Sequence, residues 1–169
     1  MRLSDLLCGV ECEVFHRQKK LSEIEISGIC SNSGLAQKDS LFVCIRGSVL
    51  NGIDYAKEAI EKGASAILAA KEEEEKLKEI LKAYRDCTGI LVKDERKVLA
   101  LLSAEYEGYP QRKLKLIGVT GTKGKTTTVS MIWKILSEAG IKTGMIGTIE
   151  RVYHAGCNQS AQKFSTHGR

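Results

Sequence analysis

Apolar and polar positions fall in short blocks along the first two-thirds of the chain, and their period switches back and forth between two and about three and a half. Leu3 to Cys8 has the spacing of a short helix with Ser4 as its cap. Ile24 to Ile29 alternates apolar with polar, which predicts a half-buried strand. Ser31-Asn32-Ser33-Gly34 is a turn, and Ser40 to Ile45 is a short buried strand broken by Arg46-Gly47-Ser48 and Asn51-Gly52. Asp54 to Lys62 carries alanines and isoleucine at helical spacing and stops at Gly63. Ala64 to Ala69 is a second apolar strand. Residues 72 to 84 form a helix with Leu77, Ile80 and Leu81 turned inward. Gly89 to Val92 is a third strand. Arg96 to Tyr106 is a helix with Val98, Leu101 and Leu102 as its apolar stripe.

Gly108-Tyr109-Pro110 ends this series and holds the only proline. It marks a boundary between residues 1–110 and 111–169. After it, Leu114, Leu116, Ile117 and Val119 predict a buried strand, Val129 to Ala139 a helix, and Thr143 to Ile149 a further strand. The tail from Glu150 to Arg169 has no clean period. Alternating strand and helix on both sides of the boundary predicts an α/β architecture twice over. About 59 residues follow Pro110, against roughly 100 or more for a full α/β domain. The second domain therefore reads as incomplete and the chain as a fragment.

The chemistry concentrates where the predicted strand at Leu114–Val119 hands over to the helix. Gly118, Gly121 and Gly124 space a loop that ends in Lys125-Thr126-Thr127. A strand, a glycine-rich turn and a helix in that order cradle nucleotide phosphates, because glycines let backbone N–H groups converge on an anion. Lys125 is the residue to reach the outer phosphates, and the Thr126 hydroxyl the one to hold magnesium. The strict pattern G-x-x-x-x-G-K-[ST] requires glycine where this chain has Val119. A dinucleotide fingerprint, G-x-G-x-x-G, fits worse, since Lys-Thr is no part of it.

Charge supports an anionic ligand for the second half. Residues 1–110 carry 16 Lys/Arg and 19 Asp/Glu, whereas residues 111–169 carry 10 Lys/Arg and only Glu138 and Glu150 as acids. The basic residues are not striped and only 5% of the chain is aromatic, so nucleic acid is not the expected partner. No apolar run approaches the roughly 20 residues that span a bilayer. Asp5 and Glu11 interrupt any secretory leader, so the expectation is a cytoplasmic protein without membrane insertion. The six cysteines form no C-x-x-C pair and read as free thiols or small buried hydrophobes. The acidic run Glu72–Glu75 reads as a solvated helix face rather than a metal site. His154 and His167, without a partner carboxylate in the tail, read as surface residues.

Thr120-Gly121-Thr122-Lys123-Gly124-Lys125-Thr126-Thr127 resembles the T-G-T-N-G-K-T-T loop of the Mur ligases of peptidoglycan synthesis. Asn32-Ser33-Gly34 with Asp39-Ser40-Leu41-Phe42-Val43 resembles the family's D-S-R and G-D-L-F-V-A blocks, with Asn, Gly and Asp39 as departures. Gly47 with Asn51-Gly52-Ile53-Asp54-Tyr55-Ala56 and Gly63-Ala64 resembles a third block. Asp94-x-Arg96 and Tyr106-x-Gly108-x-Pro110 resemble the lead-in to the central domain. Gly147-Thr148-Ile149 is most similar to the MurE type.

The resemblance implies an N-terminal UDP-binding α/β domain followed by an incomplete P-loop α/β central domain. It implies ATP bound by Gly121, Thr122, Lys123, Gly124, Lys125, Thr126 and Thr127, with Lys125 catalytic and Thr126 on Mg2+. Ser33 and Ser48 would face the uridine diphosphate of UDP-N-acetylmuramoyl dipeptide. The implied reaction joins an amino acid, diaminopimelate or lysine, through an acyl phosphate, in a monomeric enzyme. The remaining catalytic groups have no counterpart in this sequence, and Phe164-Ser165-Thr166-His167 stands where the family has Thr-Thr-Pro. The chain alone is therefore expected to be inactive. Competing readings are a MurF-type or folylpolyglutamate-type ligase, a non-catalytic nucleotide- or UDP-sugar-binding remnant, and a P-loop GTPase or kinase.

Overall fold

The computed structural model describes residues 1–15, 19–48, 50–147, 150–153 and 162–165. The chain divides into two compact units, Met1–Leu114 and Lys115–Arg169.

The first unit is built on a five-stranded sheet. Its strands are β1 (Cys12–Phe15), β2 (Gly28–Cys30), β3 (Ser40–Val43), β4 (Ala66–Ala70) and β5 (Thr88–Val92), in the order β1-β5-β4-β3-β2. β2 to β5 run parallel, and β1 closes the β5 edge antiparallel, with Cys12 opposite Val92 and Phe15 opposite Gly89. β3, β4 and β5 are apolar at almost every position because the sheet is covered on both faces. Alternate residues divide between two cores. Leu41, Val43, Leu68, Ile90 and Val92 pack with Leu3, Leu6, Val98 and Leu102 on one face. Phe42, Ile67, Ala69 and Leu91 pack with Ala56, Ala59, Leu77 and Leu81 on the other. The covering helices are α1 (Leu3–Leu6) and α4 (Glu95–Tyr106) on the first face, and α2 (Ala56–Glu61) and α3 (Glu74–Leu81) on the second. This is the expected α/β architecture.

Several local expectations are corrected. Ser4 does not cap α1: the flanking residue is Arg2, and the Ser4 hydroxyl donates to the Asp5 carboxylate at 3.1 Å. Of the strand predicted over Ile24–Ile29, only Gly28 and Ile29 join a ladder, as the start of β2. Ile24 and Ile26 are instead buried beside α1, their backbones bonded to Leu3 and Met1. β1 has no clear sequence signal and becomes a strand because β5 offers it a free edge. Leu101 is 46% exposed, whereas Leu102 is 1% exposed, so the inward stripe of α4 is Val98–Leu102.

The second unit holds α5 (Lys125–Glu138) and an antiparallel sheet of β6 (Met145–Ile146), β7 (Glu150–Tyr153) and β8 (Gln162–Ser165). The Trp133 indole N–H donates to the Thr143 carbonyl at 3.2 Å, which ties α5 to the approach to β6. α5 begins four residues before the apolar period does, at the end of the glycine loop. The predicted strand at Leu114–Val119 does not form. Leu114, Leu116 and Ile117 are 62–75% exposed. An apolar run becomes a buried strand only where neighbours pair with it and cover it, and among the described residues none does. Among the described residues, the strand expected over Thr143–Ile149 forms at Met145–Ile146; Thr148 and Ile149 lie outside the described residues. The tail, without a period in sequence, supplies β7 and β8. His154, Cys157 and His167 lie outside the described residues.

Candidate functional site

In the second unit the loop turns on two glycines at positive φ, Gly121 at 146° and Gly124 at 77°. A side chain at either position would be strained. Gly124 is the residue at which the chain enters α5. The first intrahelical bond runs from Thr128 N–H to the Gly124 carbonyl at 2.9 Å. The N–H groups of Lys125, Thr126 and Thr127 therefore precede the helix ladder and point out of its positive end. The Lys125 ammonium folds back over the loop, donating to the Gly121 carbonyl at 2.6 Å and lying 3.5 Å from that of Thr122. A cation thus stands beside three free amides at a helix start, an arrangement that suits a phosphate. Thr126 and Thr127 are exposed on the first turn, and Lys123 is exposed at the loop tip. The Thr128 hydroxyl is occupied, donating to the Gly124 carbonyl at 3.0 Å. The loop offers one hydroxyl, Thr126, to a magnesium ion. Among the described residues no group of three or more His, Cys, Asp or Glu could hold a metal. The donor set fits magnesium only as an ion carried in on nucleotide phosphates, its usual mode.

In the first unit the loops that follow β2, β3, β4 and β5 leave the same edge of the sheet, because those strands are parallel. That is the ligand-binding edge of open α/β sheets. Ser33 follows β2 and Ser48 follows β3. Asn32 shapes the first loop: its side-chain oxygen accepts from Gly34 N–H at 2.8 Å. Ser33 is 9% exposed and its hydroxyl donates to Glu58 at 2.8 Å. The Lys62 ammonium donates to the other Glu58 oxygen at 2.7 Å and to the Ser33 carbonyl at 3.0 Å. Lys62 and Ser33 together hold the Glu58 carboxyl below its ordinary pKa. The Ser33 proton is thus directed inward, leaving its oxygen lone pairs as acceptors. A hollow of about 290 Å³ lies beside this turn, lined by Cys30, Ser31, Asn32, Leu35, Gln37 and Ser40 among others.

Ser48 is exposed near the tip of the loop after β3. Gly47 N–H donates to the Leu50 carbonyl at 2.9 Å and Gly52 N–H to that of Ile45 at 3.0 Å, so the loop closes on itself. Glu58, Lys62, Glu95 and Arg96 shape these loops, and sequence reading gave none of them a contact. The Glu58–Lys62 spacing of four announced a helix-surface pair, but nothing in it announced Ser33.

Residues 23–107 match the Mur ligase family, catalytic domain, and residues 119–167 match the Mur ligase middle domain. The chain is 42% identical over 149 residues to the UDP-N-acetylmuramoyl-L-alanyl-D-glutamate–2,6-diaminopimelate ligase of Clostridium botulinum, covering 88% of this chain and 29% of that protein. It is 37% identical over 131 residues to the ligase of the same name from Cytophaga hutchinsonii, covering 78% of this chain and 26% of that one. The fold is similar to MurF from Acinetobacter baumannii, with a TM-score of 0.59 and 23% identity over 80% of this chain and 27% of that one. The chain thus spans under a third of the length of these relatives. The sequence blocks, the glycine loop and the two family matches lead to one conclusion: this chain belongs to the Mur ligase family.

Proposed function

We propose that the chain carries two binding elements of an ATP-dependent amide ligase acting on peptidoglycan precursors. Met1–Leu114 takes the uridine diphosphate end of UDP-N-acetylmuramoyl-L-Ala-D-Glu, and the loop at Gly121–Thr127 takes the phosphates of ATP. The carrying observation is Lys125, whose ammonium sits over the carbonyls of Gly121 and Thr122 beside the free amides of the first turn of α5. In the reaction implied by the relatives, the substrate carboxylate takes the outer phosphoryl group of ATP to become an acyl phosphate. The amine of diaminopimelate then displaces phosphate to form the amide.

Lys125 would leave the loop carbonyls for the transferring phosphate and hold its negative charge, while the amides of Lys125, Thr126 and Thr127 fix its orientation. The Thr126 hydroxyl would hold magnesium, which when bound neutralises phosphate charge. Ser33 and Ser48 meet the substrate far from the reacting carboxylate and contribute affinity and register. A second reading is a module that binds nucleotide or UDP-sugar without chemistry.

Calorimetry with ATP and Mg2+ tests the proposal. The chain is expected to bind weakly, and Lys125→Ala to weaken binding about tenfold or more. Equal binding by Lys125→Ala would overturn the assignment. Incubation with all three substrates is expected to release no amide product from these 169 residues. Product would exclude the binding-module reading.

A further inference from the structure

The backbone of Arg46, at the start of the loop after β3, is gripped on both sides by two consecutive residues of α4. Its N–H donates to the Glu95 carboxylate at 3.2 Å. Its carbonyl accepts from the Arg96 guanidinium at 2.7 Å. Two further contacts come from the segment after β4: the Arg46 guanidinium donates to Glu72 at 3.2 Å, and the Asn51 amide to Glu73 at 2.7 Å. The two ends of the loop are therefore held by side chains about 20 to 50 residues away in sequence.

Glu95 is 9% exposed, and the Arg46 N–H is its one side-chain hydrogen-bond partner among the described residues. Burying a carboxylate is costly unless it is hydrogen-bonded. The helix start lowers that cost, yet an apolar residue would meet none of it. The arrangement makes physical sense as a device that fixes the loop, and the loop presents Ser48.

We propose that Glu95 and Arg96 are positioning residues for recognition of the uridine diphosphate end of the substrate, acting through the conformation of the Arg46–Asn51 loop and the placement of Ser48. This rests on the reading that Ser33 and Ser48 face that ligand. Neither residue need touch it.

The test is calorimetry of the full chain with UDP-N-acetylmuramoyl-L-Ala-D-Glu, using Ser48→Ala, Arg96→Ala, Arg96→Lys and the Ser48→Ala/Arg96→Ala double variant. Arg96→Ala is expected to weaken binding about five- to tenfold, the size of the one neutral hydrogen bond that a displaced Ser48 would lose. Arg96→Lys is expected to recover most of the loss. The double variant should bind about as Arg96→Ala does, because both changes disable one contact and are not additive. Binding by Arg96→Ala equal to that of the unaltered chain would overturn the proposal. So would a double variant whose losses multiply, since Arg96 would then act independently of Ser48. Absence of binding by the unaltered chain would overturn the underlying reading, and the clamp's role with it. Should Arg96→Ala fail to fold, Arg96→Met, which keeps the aliphatic stem without the donors, gives the same readings.

Discussion

Gly52 sits where the loop after β3 returns to the sheet, and the structure predicts the cost of giving it a side chain. A Cβ there would stand 2.5 Å from the Ile45 nitrogen, 2.8 Å from the Ile45 oxygen and 2.9 Å from the Cys44 carbonyl carbon. All three are backbone atoms at the end of a buried strand, so no rotamer change relieves the clash. Gly52 is not at positive φ, so the penalty is contact rather than backbone conformation. Overpacking of this kind costs about 1–3 kcal/mol, and loss of the Gly52 N–H bond to Ile45 adds about 1 kcal/mol. For a unit of about 114 residues, an unfolding entropy near 2.1 cal/mol/K per residue converts 2–4 kcal/mol into a fall of roughly 8–16 °C. Thermal unfolding followed by circular dichroism measures this. Gly28→Ala is the control: its Cβ would meet only the mobile end of Gln37 at 3.7 Å, and its melting point should move by less than about 2 °C. A Gly52→Ala variant that melts with Gly28→Ala would refute the reasoning, because the strand end would then yield freely.

Leu102→Ala is expected to cost about 2–5 kcal/mol in chemical denaturation and Leu101→Ala under about 1 kcal/mol, since the first is 1% and the second 46% exposed. Glu58→Gln tests the tie to Ser33. The Glu58 carboxyl is held below its ordinary pKa, so its contribution is full above about pH 4.5 and is lost as pH falls through the folded value. The stability gap between the two proteins should be widest near neutrality and close in acid; a gap independent of pH would sink the assignment. Cys44 and Cys87 are buried, and burial pushes the Cys87 thiol up to about 12 and that of Cys44 higher still. Thiol labelling at pH 8, read by mass spectrometry, should mark the exposed Cys8 first and leave these two unlabelled until the protein unfolds.

Much of the first unit was legible in advance because local and tertiary signals agree there. The runs at Ser40–Val43, Ala66–Ala70 and Thr88–Val92 are apolar on both faces, and only a covered parallel sheet satisfies such a pattern. Leu77, Ile80 and Leu81 showed the buried stripe of α3 directly. The glycine loop was legible for a similar reason: the glycines, Lys125 and Thr126 are consecutive or nearly so, and a helix start needs no distant partner to expose its amides.

What the sequence by itself determined, then, is the order of elements, their apolar faces and a glycine loop at a helix start, all of which rest on contacts within a few residues. Tertiary structure decided the rest. It turned Ile24 and Ile26 into core without a ladder, and recruited Cys12–Phe15 to a vacant strand edge. It left Leu116 and Ile117 exposed because no described strand lies beside them. It also tied Ser33 to Glu58 across 25 residues and Arg46 to Arg96 across 50. Such long-range polar pairs carry no period in the chain. They exist because parallel strands deliver their following loops to one edge of the sheet, where a side chain from the helix after one strand can hold the loop after another.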